Sequence, residues 1–145
     1  MSQLIDALSR ILPAKQVITD SLRRLAYGTD ASFYRLTPEV VAVVESEAEL
    51  QALLQATRAH QCPVTFRAAG TSLSGQAVTD SVLALIGEGF ATCEIGPDAA
   101  TVRAGPGIIG GEVNFRLAPH GKKIGPDPAS INASKIGRAS CRERV

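Results

Sequence analysis

The segment from Val40 to Arg67 constrains the fold more than any other part of the chain. Val40-Val41-Ala42-Val43-Val44 is a β-branched run too apolar for a half-exposed strand, and it reads as a strand buried on both faces. Ser46 follows, with Glu49 three residues on, the S-x-x-E pattern of a capping box at a helix start. Leu50, Leu53, Leu54 and Thr57 keep one face of that helix, and His60 closes its last turn, where the helix dipole is negative. Pro63-Val64-Thr65-Phe66-Arg67 then reads as a second strand. Strand, capped helix and strand within about 28 residues form a βαβ unit, so the two strands are expected to run parallel.

Around this unit the pattern is simpler. Leu4, Ile5, Leu8, Ile11 and Leu12 form a helical stripe that Pro13 ends. A second short helix is expected behind Asp20, through Leu25, with Gly28 as its stop. Val82–Ile86 reads as a strand, and Ala91–Ile95 and Thr101–Ala104 as a hairpin around Gly96-Pro97-Asp98. A helix is expected over Ile108–Pro119, weakened at its start by Gly110 and Gly111. Gly121–Ser130 is too rich in Gly and Pro for regular structure. The fold class is therefore α+β, with a mixed sheet rather than a pure doubly wound one.

Composition narrows the function. Fifteen Lys and Arg against 14 Asp and Glu leave a net charge of +1, too balanced for a nucleic-acid-binding face. No apolar run approaches the roughly 20 residues of a spanning helix, and the opening MSQLIDALSRILP carries Asp6 and stops at Pro13, unlike a secretory signal. Cys62, Cys93 and Cys141 are odd in number and unevenly spaced, which implies neither a disulfide framework nor a zinc site and fits a reducing compartment. His60 and His120 have no carboxylate pattern that would make a metal pair, so no metal is expected.

The segment with chemistry in it is Arg67-Ala68-Ala69-Gly70-Thr71-Ser72-Leu73-Ser74-Gly75-Gln76, directly after a predicted strand. Small residues let a backbone turn sharply and approach a ligand. Consecutive main-chain N–H groups in such a turn make an anion-binding concavity, to which the hydroxyls of Thr71, Ser72 and Ser74 add. A diphosphate suits it, because it offers many acceptors and needs little side-chain charge. No Gly-Lys-Ser/Thr follows, so this is not a P-loop, and G-x-G-x-x-G is absent. On spacing alone the segment reads equally well as a plain small-residue turn. Gly125-Pro126-Asp127-Pro128-Ala129-Ser130 is a second rigid loop, with two prolines fixing φ around an acidic residue.

Taken in order, Pro63–Gln76, Thr101-Val102-Arg103-Ala104-Gly105-Pro106-Gly107 and Pro126-Asp127-Pro128-Ala129-Ser130 resemble the PCMH-type FAD-binding domain of the vanillyl-alcohol oxidase and p-cresol methylhydroxylase superfamily. Tyr27-Gly28-Thr29-Asp30-Ala31-Ser32-Phe33-Tyr34 and Phe66–Gln76 are most similar to its FAD-linked D-lactate dehydrogenase branch. The resemblance implies an FAD pyrophosphate held by the backbone of Arg67, Ala68, Ala69, Gly70, Thr71 and Ser72, with Gly75 and Gln76 on the same wall near the ribityl and flavin end. It also implies that Pro126, Asp127 and Ser130 run beside the isoalloxazine. Many relatives have three glycines where this chain has Arg67-Ala68-Ala69-Gly70, so the alanines need negative φ and Gly70 is the residue expected to take unusual backbone angles. Some relatives carry a histidine just after the last loop glycine and join it to the flavin. Thr71 stands there, which implies non-covalent FAD.

The implied activity is FAD-dependent oxidation of a D-2-hydroxy acid such as D-lactate, with an unidentified electron acceptor. It places the protein in the cytoplasm, with room for peripheral association with the inner membrane. Another FAD enzyme of the superfamily (a glycolate dehydrogenase subunit or an alkyl-glycerone-phosphate synthase) is the alternative, and a non-catalytic nucleotide-binding module is a third. The implied organisation is a helical segment over 1–35 and a truncated FAD-binding domain over 36–135. Relatives continue into a further flavin-binding lobe and a substrate domain; no residue here suits the catalytic base, so this segment alone is expected to be inactive. Residues 136–145 break the composition, with three arginines against one glutamate, and match the translation ATC GGA AGA GCG TCG TGT AGG GAA AGA GTG of a sequencing adapter. They are expected to be non-native, which would strip Cys141 of meaning.

Overall fold

A computed structural model describes residues 1–139 and divides them between two compact units that meet at residues 86 and 87. The first unit opens with α1 (Ser2–Ile11), β1 (Val17–Ile18) and α2 (Ser21–Ala26). It continues through β2 (Val40–Val44), α3 (Glu47–Ala59), β3 (Val64–Arg67) and β4 (Val82–Ile86). These strands form one sheet in the order β1-β2-β4-β3. β2 pairs parallel with β4 and β4 parallel with β3, while β1 runs antiparallel to β2. The two strands of the βαβ unit are therefore parallel, as expected, but they do not touch, because β4 lies between them.

That insertion explains the two burial patterns. β2 and β4 are central, and Val40, Val41, Ala42, Val44, Val82, Leu83 and Ala84 are all buried. β3 is an edge strand and leaves Phe66 about half exposed at 48%. α1 packs on α3, where Leu4, Leu8 and Leu53 are fully buried; Leu12 follows them inward, but Ile11, expected on the same stripe, faces out. β1 is only two residues long, too short to leave a periodic signal, and Ile18 there joins Val41 and Leu83 in one apolar cluster.

The capping box forms in part. Ser46 Oγ accepts from Glu49 N at 3.2 Å, but the Glu49 carboxylate does not return to its partner's amide. Glu49 Oε2 instead accepts from Glu45 N at 2.7 Å and from Nε2 of buried Gln16 at 2.8 Å, which joins the 3-10 turn before β1 to the start of α3. Glu49→Ala removes both of these bonds, leaving Gln16 Nε2 with Val43 O at 3.2 Å, and is expected to lower stability by about 1–3 kcal/mol, read as a lower midpoint in urea unfolding with an unchanged slope.

The second unit holds the hairpin of β5 (Cys93–Ile95) and β6 (Val102–Ala104), then α4 (Gly110–Leu117) and the short α5 (Ile136–Ala139). β5 and β6 pair antiparallel around the Gly96 turn. Ile108, Val113 and Leu117 form its core, with Cys93, Ile95, Val102, Ala104, Ile124 and Ile136 packed against them. The expected helix is shorter than Ile108–Pro119, with Ala118–His120 closing it as a 3-10 turn. Gly110 and Gly111 at its start have a packing reason: a Cβ on either would strike Ile131 or Asn132. Their amides donate to Ser134 O and Ile131 O at 3.1 and 2.9 Å. Cys62 and Cys93 are half-buried free thiols. Of the tail expected to be foreign, Ile136 N donates to Ile108 O at 2.8 Å, and residues 140–145, Cys141 among them, lie outside the described residues.

Candidate functional site

The sharp turn that follows β3 is built on glycine. Gly70 has φ +70° and Gly75 φ +68°, both in the left-handed region that a side chain resists. Gly70 was expected there and Gly75 was not; Ala68 and Ala69 avoid positive φ, as two alanines must. A Cβ on Gly70 would come within 2.7 Å of Arg67 Nε, and one on Gly75 within 2.8 Å of the Tyr34 ring.

The loop is closed from inside by Ser72. Its hydroxyl is buried, accepts from Ser74 N at 3.2 Å and Gln76 N at 3.1 Å, and lies 3.5 Å from Gln76 Oε1. The hydroxyl expected to face a ligand is therefore spent on the loop itself, and so is the Gln76 amide. The earlier amides differ. Those of Ala68, Ala69, Gly70 and Ser72 donate no hydrogen bond to any described residue. Backbone N–H groups in a folded protein almost always find an acceptor. Four within five residues, around a Gly70 whose conformation resists a side chain, make a cradle suited to a phosphate oxygen cluster.

A second loop, Tyr27–Tyr34, holds the first in place. Arg67 Nη1 donates to Thr29 O at 2.7 Å, Tyr27 O at 3.1 Å and Ala77 O at 3.5 Å, and the guanidinium lies 5.7 Å from the Tyr27 ring centroid. Ala31 N donates to Gly70 O at 3.0 Å. Asp30 Oδ1 accepts from Ser32 N at 2.9 Å and Ser32 Oγ at 2.5 Å, and its Oδ2 accepts from Ala77 N at 3.3 Å. Asp30 thus holds its own turn and reaches Ala77 at the far end of the loop. Burial pushes its carboxyl up, but the Ser32 and Ala77 hydrogen bonds and the Arg67 charge outweigh it and hold it below its ordinary value. A depressed carboxylate contributes stability that is fully present above the unfolded value and lost as pH falls through the folded one. At neutral pH the latch is closed. Burial also lowers the Arg67 pKa, against the opposing effects of Asp30 and Tyr27, yet a guanidinium stays charged.

The other expected residues belong to the second unit. Lys123 Nζ pairs with Asp127 Oδ2 at 2.9 Å, and Ser130 Oγ meets Ser134 Oγ at 2.6 Å. Pro126 lines a cavity of about 470 Å³ with Leu117, Lys122 and Ile124. No group of three or more His, Cys, Asp or Glu capable of holding a metal occurs among the described residues. No described helix is long and apolar enough to cross a membrane.

A family model described as an FAD binding domain matches residues 38–140. The glycolate oxidase subunit GlcD of Escherichia coli strain K12 is 28% identical over 139 residues, which cover 94% of this chain and 28% of that protein. The D-2-hydroxyglutarate dehydrogenase of the same strain is 30% identical over 118 residues, 79% of this chain and 12% of that protein. Among solved structures, an alkyldihydroxyacetonephosphate synthase superposes with a TM-score of 0.80 at 17% identity, over 94% of this chain and 28% of the other. p-Cresol methylhydroxylase gives 0.67 at 12% identity, over 83% and 25%. These two likenesses establish the fold. The chain spans under a third of each of these proteins.

Proposed function

The chain belongs to the FAD binding domain family, and from that premise we propose that it is the pyrophosphate-holding part of a flavin-dependent oxidoreductase acting on a D-2-hydroxy acid. The observation that carries this reading is the cradle of four unpartnered amides at Ala68, Ala69, Gly70 and Ser72, on a turn where a Cβ at Gly70 does not fit. The fit to FAD is chemical. A pyrophosphate presents several oxygens at close spacing, and the cradle presents donors without a competing acceptor. Bound FAD supplies the hydride acceptor for oxidation at the substrate α-carbon, while the protein contributes binding and orientation. Ala68, Ala69, Gly70, Thr71 and Ser72 would hold the phosphates. Arg67, Gly75 and Gln76 would shape the loop from within, and Pro126, Asp127 and Ser130 would flank the flavin ring.

The substrate class is supported by the relatives, named for glycolate and D-2-hydroxyglutarate. Both are 2-hydroxy acids, as is the D-lactate expected from the sequence. The test is the visible spectrum of the complete protein under anaerobic addition of D-lactate, glycolate, D-2-hydroxyglutarate and L-lactate. A yellow protein bleached by at least one of the first three and not by L-lactate is expected. A colourless protein that takes up no FAD overturns the proposal.

FAD is held without a covalent bond on this reading, since Thr71 offers no ring nitrogen. Acid precipitation is expected to leave all the yellow colour in the supernatant; colour retained in the pellet would contradict it. Residues 136–145 are proposed to be non-native. Sequencing the source locus across Lys135 is expected to give a different continuation, and finding the same ten codons in genomic context would refute the proposal.

A further inference from the structure

The loop that contains the open amides is anchored at both ends to one short segment outside it. Ala77, just past the loop, donates its amide to Asp30 Oδ2 and gives its carbonyl to Arg67. Arg67, just before it, reaches the carbonyls of Tyr27 and Thr29 on either side of Gly28. Between those ends, Gly70 O accepts from Ala31 N, the residue beside Asp30. Start, middle and end of the loop are thus tied to the Tyr27–Ser32 segment. Within that segment the Asp30 carboxylate holds the turn through Ser32 and, with Tyr27, opposes the effect of burial on the Arg67 guanidinium.

We propose that Asp30 is a positioning residue for the phosphate cradle: it touches no part of the cofactor, and holds the backbone of residues 67–77 in the conformation that leaves four amides without an acceptor among the described residues. The proposal rests on the flavin reading of the loop. It makes a chemical distinction that a general stabilising role does not. If Asp30 acts through the cradle, its loss weakens ligands in proportion to their phosphates and leaves the rest of the binding alone.

The experiment uses apoprotein prepared from the complete protein, with FAD, ADP and riboflavin as probes. Asp30→Asn keeps the size of the side chain and the acceptor for Ser32 but removes the charge and the oxygen that meets Ala77. FAD and ADP are expected to bind about ten- to a hundredfold more weakly. Riboflavin affinity is expected to stay near wild type, while apoprotein melting falls modestly with the loss of the carboxylate's own contribution to stability. Asp30→Ser, whose hydroxyl can still cap the Ser32 amide, gives the same reading should Asp30→Asn fail to fold. Wild-type FAD affinity in a folded variant overturns the positioning role while leaving the flavin reading intact. So does a parallel loss of all three ligands together with apoprotein stability. A wild-type protein that binds neither FAD nor ADP overturns both readings at once.

Discussion

Gly70→Val, made in the complete protein, is expected to purify without FAD. Two penalties combine at this position. With φ at +70°, Gly70 sits where an L side chain costs about 1–2 kcal/mol, and β-branching raises that further. The second penalty is steric: the new Cβ would press on the Arg67 guanidinium, within 2.7 Å of Nε. A long side chain would ordinarily swing away, but this one is held by three carbonyls. Relief must therefore come from the Gly70 backbone, whose amide is one of the four in the cradle. The affinity is expected to fall by at least ~100-fold, measured as flavin retained per protein and as Kd on reconstitution. Gly70→Ala should lose less, since it lacks the branch. Full FAD content in Gly70→Val would remove the loop from the binding site.

The sequence carried those parts of this architecture whose cause is local. The run Val40–Val44 is apolar at every position because β2 is covered on both faces, so burial wrote its own signature. Asp20 and Ser46 cap α2 and α3 through their own side chains, and such caps are visible three residues away. Gly70 was identifiable because it follows Ala68 and Ala69, two residues that resist positive φ and leave the glycine to take it. What was not legible is long-range. Nothing near Val82 says that β4 enters between β2 and β3, because a parallel pairing leaves no turn residue at the point of insertion. Gly75 was passed over because its reason is the Tyr34 ring, 41 positions earlier in the chain. Two of the three hydrogen bonds to Asp30 come from Ser32, two positions on; the third, from Ala77, crosses 47 residues and leaves no local mark. Arg67 was grouped with the cofactor contacts for being next to them, while its side chain turns the other way, into the Tyr27–Thr29 backbone.

That last difference gives a prediction that separates the two roles. If Arg67 serves the fold of the loops, Arg67→Leu lowers both the stability of the apoprotein and the affinity for FAD. The three carbonyls it serves lie in partly buried positions, and each acceptor left without a partner costs about 1–3 kcal/mol where water cannot replace the donor. Partial access of water and shared geometry make these costs less than additive, so a loss of about 2–4 kcal/mol is expected, read from urea unfolding. Arg67→Lys should recover only part of it: the ammonium falls one bond short of Nη1, and lacks the flat face that lies over Tyr27. A cofactor contact behaves differently. Were the guanidinium to grip phosphate directly, apoprotein stability would be indifferent to Arg67→Leu, and Arg67→Lys would keep much of the affinity, because a lysine serves a phosphate well as a point charge. Unfolding curves of the two apoproteins decide between these cases before any flavin is added, and the flavin titration then measures how much of the cradle depends on the guanidinium behind it.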